Sequence, residues 1–139
     1  MIVLDTNVVS ELMAKSPHPK VAEWSRKFRR DELAMTTITF MELRMGIETL
    51  PASKRRVGLE ADLDWVLAEV IGARMLVFDQ AAAEHAVKRV ALLKRTGQPV
   101  EIRDVQIAGV AMARRAVLAT RNLKDYEQLT VKVVNPWGD

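Results

Sequence analysis

Three acidic residues stand where a carboxylate could do chemistry. Asp5 follows Ile2-Val3-Leu4, an apolar run too short for a helix and suited to a buried strand. Thr6-Asn7 comes next, then apolar residues at helical spacing, Val8, Val9, Leu12 and Met13. Asp5 is therefore expected at the carboxyl tip of a strand, where open α/β sheets bind ligands; an Asp there also caps the following helix. Glu42 falls near the start of a helix that follows a strand. Thr39 precedes it by three residues, a capping-box spacing that competes with a catalytic use of Glu42. Asp104 shares a helix face with the apolar Ile107 and Ala108. A carboxylate aimed at the core side is costly unless paired or metal-bound; the helix dipole favours an acid in the first turn but does not explain its place on the inner face.

These positions share a rim if the strands are parallel, and the late residues Thr120 and Asn122 join them. Carboxylates crowded within a few ångströms repel one another, and one is pushed towards protonation unless a cation intervenes. Mg²⁺, with Mn²⁺ as substitute, suits an all-oxygen site. Such a site performs phosphoryl transfer: it polarises a phosphate oxygen and lowers the pKa of a bound water. The chain offers no other catalytic set. It has no phosphate-binding glycine loop, no Gly-x-Ser-x-Gly elbow and no cysteine. Of the two histidines, His18 falls in a Ser-Pro-His-Pro turn and His85 within a helix, so neither reads as a metal ligand.

The elements that must position these residues alternate. Strands are expected at Ile2–Leu4, 33–36, 75–78, 117–120 and 131–134, and helices from near Val8, then over 20–29, from Thr39 to Leu50, and over 54–70, 81–95 and 102–115. Within the 54–70 helix, Val57, Ala61 and Trp65 are expected inward. The alternation predicts an α/β fold, a three-layer α/β/α arrangement with a central, mostly parallel sheet of about four to five strands. The 139 residues, 49% hydrophobic and 28% charged, fit one domain over 1–139 with a sizeable core. No secretory signal or membrane span is legible, and the absence of cysteine fits a reducing cytoplasm. The net charge of +3 is compatible with nucleic acid. The basic clusters 26–30, 54–56 and 114–115 read first as solvated helix faces.

The ordered set of motifs resembles the PIN-domain ribonucleases, in particular the VapC toxins of type II toxin–antitoxin pairs and their FitB-like branch. The matching pieces are Met-Ile-Val-Leu-Asp-Thr-Asn-Val-Val-Ser-Glu at 1–11, Thr-x-x-Glu-Leu-Arg-x-Gly at 39–46 and Asp-Val-Gln-Ile-Ala-Gly-Val-Ala at 104–111. Ala-Thr-Arg-Asn at 119–122 and Val-Asn-Pro-Trp at 134–137 complete it. The resemblance implies an Mg²⁺-dependent endoribonuclease with Asp5, Glu42 and Asp104 as catalytic metal ligands. Asn122 falls where many such nucleases have a fourth acid, and Asp125 is its nearest possible replacement. Thr6 and Thr120 match hydroxyl positions beside the site, and Arg121 a phosphate contact. Arg103 departs from the small residues usual there and is expected to point outward without a role.

The resemblance further implies a homodimer held inactive by a cognate antitoxin, which alone contacts operator DNA. Met13, Met41 and Met45, among seven methionines, are candidates for an adaptable partner groove or ordinary core filling. The alternative function is a catalytically inactive PIN-like binding module that docks a partner or nucleic acid, a reading to which the Asn122 departure gives room.

Overall fold

The computed structural model describes residues 1–138. Its sheet is built from β1 (Ile2–Leu4), β2 (Leu33–Thr36), β3 (Met75–Leu76), β4 (Val117–Ala119) and β5 (Val133–Val134). They lie in the order β3-β2-β1-β4-β5, and every pairing is parallel. Between them run α1 (Thr6–Met13), α2 (Pro19–Arg26), α3 (Thr37–Glu48), α4 (Lys54–Trp65), α5 (Gln80–Arg95), α6 (Ile102–Ala113) and α7 (Leu123–Glu127). The chain moves outward from β1 through β2 to β3, then returns to lay β4 on the other side of β1. The order reverses there, and the carboxyl ends of β1 and β4 flank the crevice that forms.

Successive strand residues face opposite sides of a sheet, and the core divides accordingly. Val3, Ala34 and Leu118 pack with Ala82, Ala86, Val105, Ala108 and Leu129 from the α5–α7 side. Leu4, Met35 and Ala119 pack with Val8, Val9, Val21, Leu63 and Trp137 on the other. The expected three layers are thus present. Helix α3 bridges the two cores, with Ile38 in the first and Ile47 in the second.

Several local expectations are corrected. Thr39 does not cap α3: Thr36 does, its Oγ1 accepting the Thr39 N–H at 3.1 Å, so no capping box engages Glu42. Val57 and Trp65 are exposed, at 65% and 54%. The inner face of α4 instead runs through Leu59, Leu63, Val66 and Val70, an equally helical spacing that presents four aliphatic residues. The last of these lie in a π-helical turn, Val66–Val70, that ends the helix. α2 stops at Arg26 rather than Arg29, and β3 at Leu76, leaving Val77 half-exposed. β5 is confined to Val133–Val134. Met13 is core, whereas Met41 and Met45 are exposed on α3.

Helices α5 and α6 approach closely at Gly109. A Cβ built there would run into the carbonyl oxygen of Ala82 and stand 3.2 Å from the Ala86 side chain. Backbone cannot yield as a flexible side chain does, so Gly109→Ala should cost about 1–3 kcal/mol of stability, as overpacking does. A urea denaturation series checks this; an unchanged midpoint would show that the helix pair can separate freely.

Candidate metal centre

Asp5 is the residue around which the crevice assembles. The parallel register places β4 beside β1, so the Asp5 N–H donates to Ala119 O (2.9 Å) and the Thr120 hydroxyl donates to Asp5 Oδ2 (2.7 Å). Asp5 Oδ1 accepts the Thr6 N–H at 2.9 Å, so the residue caps α1 as well as facing the crevice. Asn7 completes the collar. Its Nδ2 stands 3.4 Å from both Asp5 Oδ2 and Thr120 Oγ1, and its Oδ1 accepts the Arg121 N–H at 3.2 Å. Asp5 and Thr120 are both buried, and Thr120 is fully so.

Asp104 enters from the first turn of α6, as its helical phase predicts. Its Oδ1 accepts from the hydroxyl of Tyr126, which lies 3.2 Å away; the same hydroxyl is 3.2 Å from Asp5 Oδ1. Glu42 comes from α3 on the other side. The Thr6 hydroxyl donates to its Oε1 at 3.3 Å and lies 3.2 Å from Thr39 Oγ1. Arg103 does not point idly outward: its Nη1 stands 3.8 Å from Glu42 Oε2. The three acids therefore line one crevice, with Thr6 and Thr120 as their hydroxyl neighbours.

The remaining predicted residues lie at the mouth. Asn122 donates its backbone N–H to Thr120 Oγ1 at 3.0 Å, and its side chain is exposed at a cavity of about 430 Å³ that Arg121, Lys124 and Asp125 also line. Asp125 is exposed and acts on Asp104 by charge, adding to its proton affinity. The Arg121 guanidinium stacks over Trp137, 4.9 Å from the ring centre, which fixes a cation at this rim. Sequence reading did not assign site contacts to Tyr126, Asn7, Thr39 or Arg103. Tyr126 has one available signal: it is the lone tyrosine, just beyond the Thr-Arg-Asn stretch.

The electrostatics follow from crowding. Burial raises the pKa of Asp5 despite the bonds from Thr120, Thr6 and Tyr126. Burial, then the Asp5 charge, pushes Asp104 up to about 6. Burial also raises Glu42, which Arg103 and Thr6 partly offset. Among the described residues, neither Asp5 nor Asp104 has an ion-pair partner. No three acidic or imidazole side chains among those residues form a ready-made metal cage. What is present is a pair of carboxylates sharing one hydroxyl and a third across the crevice. That donor set fits a hard cation that binds one or two carboxylates and keeps much of its water, and a cation would relieve the repulsion that burial amplifies.

Comparison with known proteins gives the family. The PIN-domain family profile matches residues 2–130. The chain is 34% identical over 137 residues to the VapC ribonuclease Y4jK of Sinorhizobium fredii, covering 99% of this chain and 98% of the relative. It is 30% identical to the toxin FitB of Neisseria gonorrhoeae over the full length of both. The FitAcB crystal structure from Neisseria gonorrhoeae superposes with a TM-score of 0.87 at 30% identity, covering 99% of each chain. Other solved neighbours include FitAB bound to a DNA fragment and a member of the VapBC family of toxin–antitoxin systems. The chain belongs to the PIN-domain family, in the branch that holds the VapC ribonucleases and the FitB toxin.

The raised proton affinity of Asp104 has a stability consequence. The folded chain holds this proton to about pH 6, whereas the ordinary carboxyl lets it go near 3.8. Between these values the folded state binds more protons, so stability falls as pH rises and stays lowered above that window. Metal-free protein should melt at a lower temperature at about pH 7 than at about pH 4.5, with a shallower dependence in Asp104→Asn. Thermal melts across this range check it; equal slopes in the two proteins would show that Asp104 is not under charge stress.

Proposed function

We propose that this protein is a divalent-metal-dependent endoribonuclease, the toxin of a toxin–antitoxin pair, with Mg²⁺ as cofactor and Mn²⁺ as substitute. The observation that carries this reading is the convergence of Asp5, Asp104 and Glu42 from three elements on one crevice, each with raised proton affinity. The names of its relatives, a VapC ribonuclease and a toxin, favour RNA as substrate and a toxin role. Two further relatives are named tRNA(fMet)-specific endonucleases, which makes a structured RNA the first substrate to test. The complexes among its structural neighbours favour a cognate antitoxin as partner, with operator DNA reached through it.

When bound, the cation supplies charge neutralisation at a phosphate oxygen and a water of lowered pKa. The chain supplies the rest. Asp5 and Asp104 would hold the cation, and Thr120 fixes the orientation of the Asp5 carboxylate. Glu42, across the crevice, accepts a proton from the attacking water, and the Thr6 hydroxyl orients its carboxylate. The oxygen of that water bonds to phosphorus as the bond to the leaving sugar oxygen breaks. Arg121 and Lys124 at the rim meet flanking phosphates of the RNA. Asn122 presents a neutral amide where a fourth acid would add charge, which favours one metal over two.

A second reading is a PIN-like module that binds without cutting. The lack of a three-acid cage among the described residues favours it. Cleavage of a structured-RNA panel by antitoxin-free protein distinguishes the two. With Mg²⁺ or Mn²⁺ the nuclease should cut, EDTA should stop it, and Asp5→Asn or Asp104→Asn should lower the rate at least about a hundredfold while keeping the fold. Metal-independent cutting, or a wild-type rate in either variant, would sink the assignment. Intact RNA with metal-saturated protein, across the panel and whole-cell RNA, would favour the module.

A further inference from the structure

Tyr126 is the chain's single tyrosine and is fully buried. Its ring belongs to the core with Val105, Ala108 and Leu129, and α7 sets its position. The Tyr126 N–H donates to Asn122 O (3.4 Å), and the Leu129 N–H donates to Tyr126 O (3.0 Å). The hydroxyl alone reaches the crevice, where it meets Asp5 Oδ1 and Asp104 Oδ1 at equal distances of 3.2 Å. A phenylalanine would supply the same packing. A buried hydroxyl costs free energy unless its bonds repay it, so this one needs a reason.

The two acids provide that reason. Asp5 is carried by the sheet and Asp104 by a surface-facing helix turn, and no covalent link fixes their separation. Like charge drives them apart. Among the described residues, the Tyr126 hydroxyl is the side-chain polar group that bonds to both. Its one O–H proton is shared between the two acceptors, and the rigid ring keeps the oxygen between them.

We propose that Tyr126 is a positioning residue: its hydroxyl sets the spacing and orientation of Asp5 and Asp104 for a hard divalent cation. The inference rests on the metal-nuclease reading above. It also assigns the neutral partner at this corner of the site to Tyr126, four residues beyond Asn122, whose side chain faces the rim.

A single tyrosine makes the test direct. Full-length protein carrying ¹³C at the tyrosine Cζ gives one ring resonance, to be followed during Mg²⁺ titration alongside Mn²⁺ calorimetry of wild type and Tyr126→Phe. The resonance should move and saturate over the concentration range in which metal binds. The Tyr126→Phe protein should keep its circular dichroism, bind Mn²⁺ about tenfold more weakly, as loss of a hydrogen-bond partner to a ligand predicts, and recover RNA cutting at raised Mn²⁺. If metal binds but the resonance stays fixed, or Tyr126→Phe binds Mn²⁺ as wild type does, the positioning role is overturned while the nuclease reading stands. Should the variant fail to fold, the wild-type resonance decides alone. If wild-type protein binds no divalent ion, both readings fall.

Discussion

The Thr120 hydroxyl bonded to Asp5 is the interaction on which the rest of the crevice depends. It joins the two strand ends that flank the sheet's switch point and holds a buried carboxylate in one orientation. Its geometry follows from the backbone. β1 and β4 pair with Leu4 opposite Ala119, so the next residue of each, Asp5 and Thr120, must be neighbours at the carboxyl edge. Short strands suffice because each is covered on both faces. Two separate cores then clamp one sheet, and a rigid sheet can hold a charged group where solvent would otherwise let it turn away.

Around Asp5 the crevice is electrically lopsided. Asp5 and Asp104 stand together with only neutral donors, from Thr6, Thr120, Asn7 and Tyr126. Glu42 stands apart with the Arg103 guanidinium. A third party bearing positive charge is therefore favoured on the first side. On the second, the chain already supplies one, and Glu42 keeps a carboxylate's freedom to exchange a proton. Arg103 pairs with Glu42 and Arg121 stacks on Trp137, so positive charge stands near the acidic floor.

The sequence made the parallel sheet and the places of Asp5 and Asp104 legible, because both rest on strong local signals: a short apolar run ending in an acid, and an acid out of place on an apolar helix face. Glu42 was ambiguous because Thr39 has capping-box spacing, and Thr36, equally good as a cap, decided the matter through the end of β2. Trp65 misled because a large aromatic reads as core, while the neighbouring aliphatics at 59, 63, 66 and 70 offered a second stripe of the same period. Tyr126 is signalled only as the lone tyrosine beyond the Thr-Arg-Asn stretch, and Arg103 not at all, for another reason. Their partners lie on other elements, and a pairing across the fold leaves no periodicity in the chain.

The order in which the site's parts occur along the chain has a bearing on synthesis. Asp5 and Glu42 lie in the first third of this sequence, but Asp104, Thr120 and Tyr126 come from its last third, and β1 finds its β4 neighbour only after more than a hundred residues. Sheets with such distant pairings close late in folding. A nascent chain thus carries half of an acidic crevice until the residues from Asp104 to Tyr126 have been made. A chain released before Asp104 would hold the first strand and two carboxylates without the strand, the helix turn or the hydroxyl that bring them together.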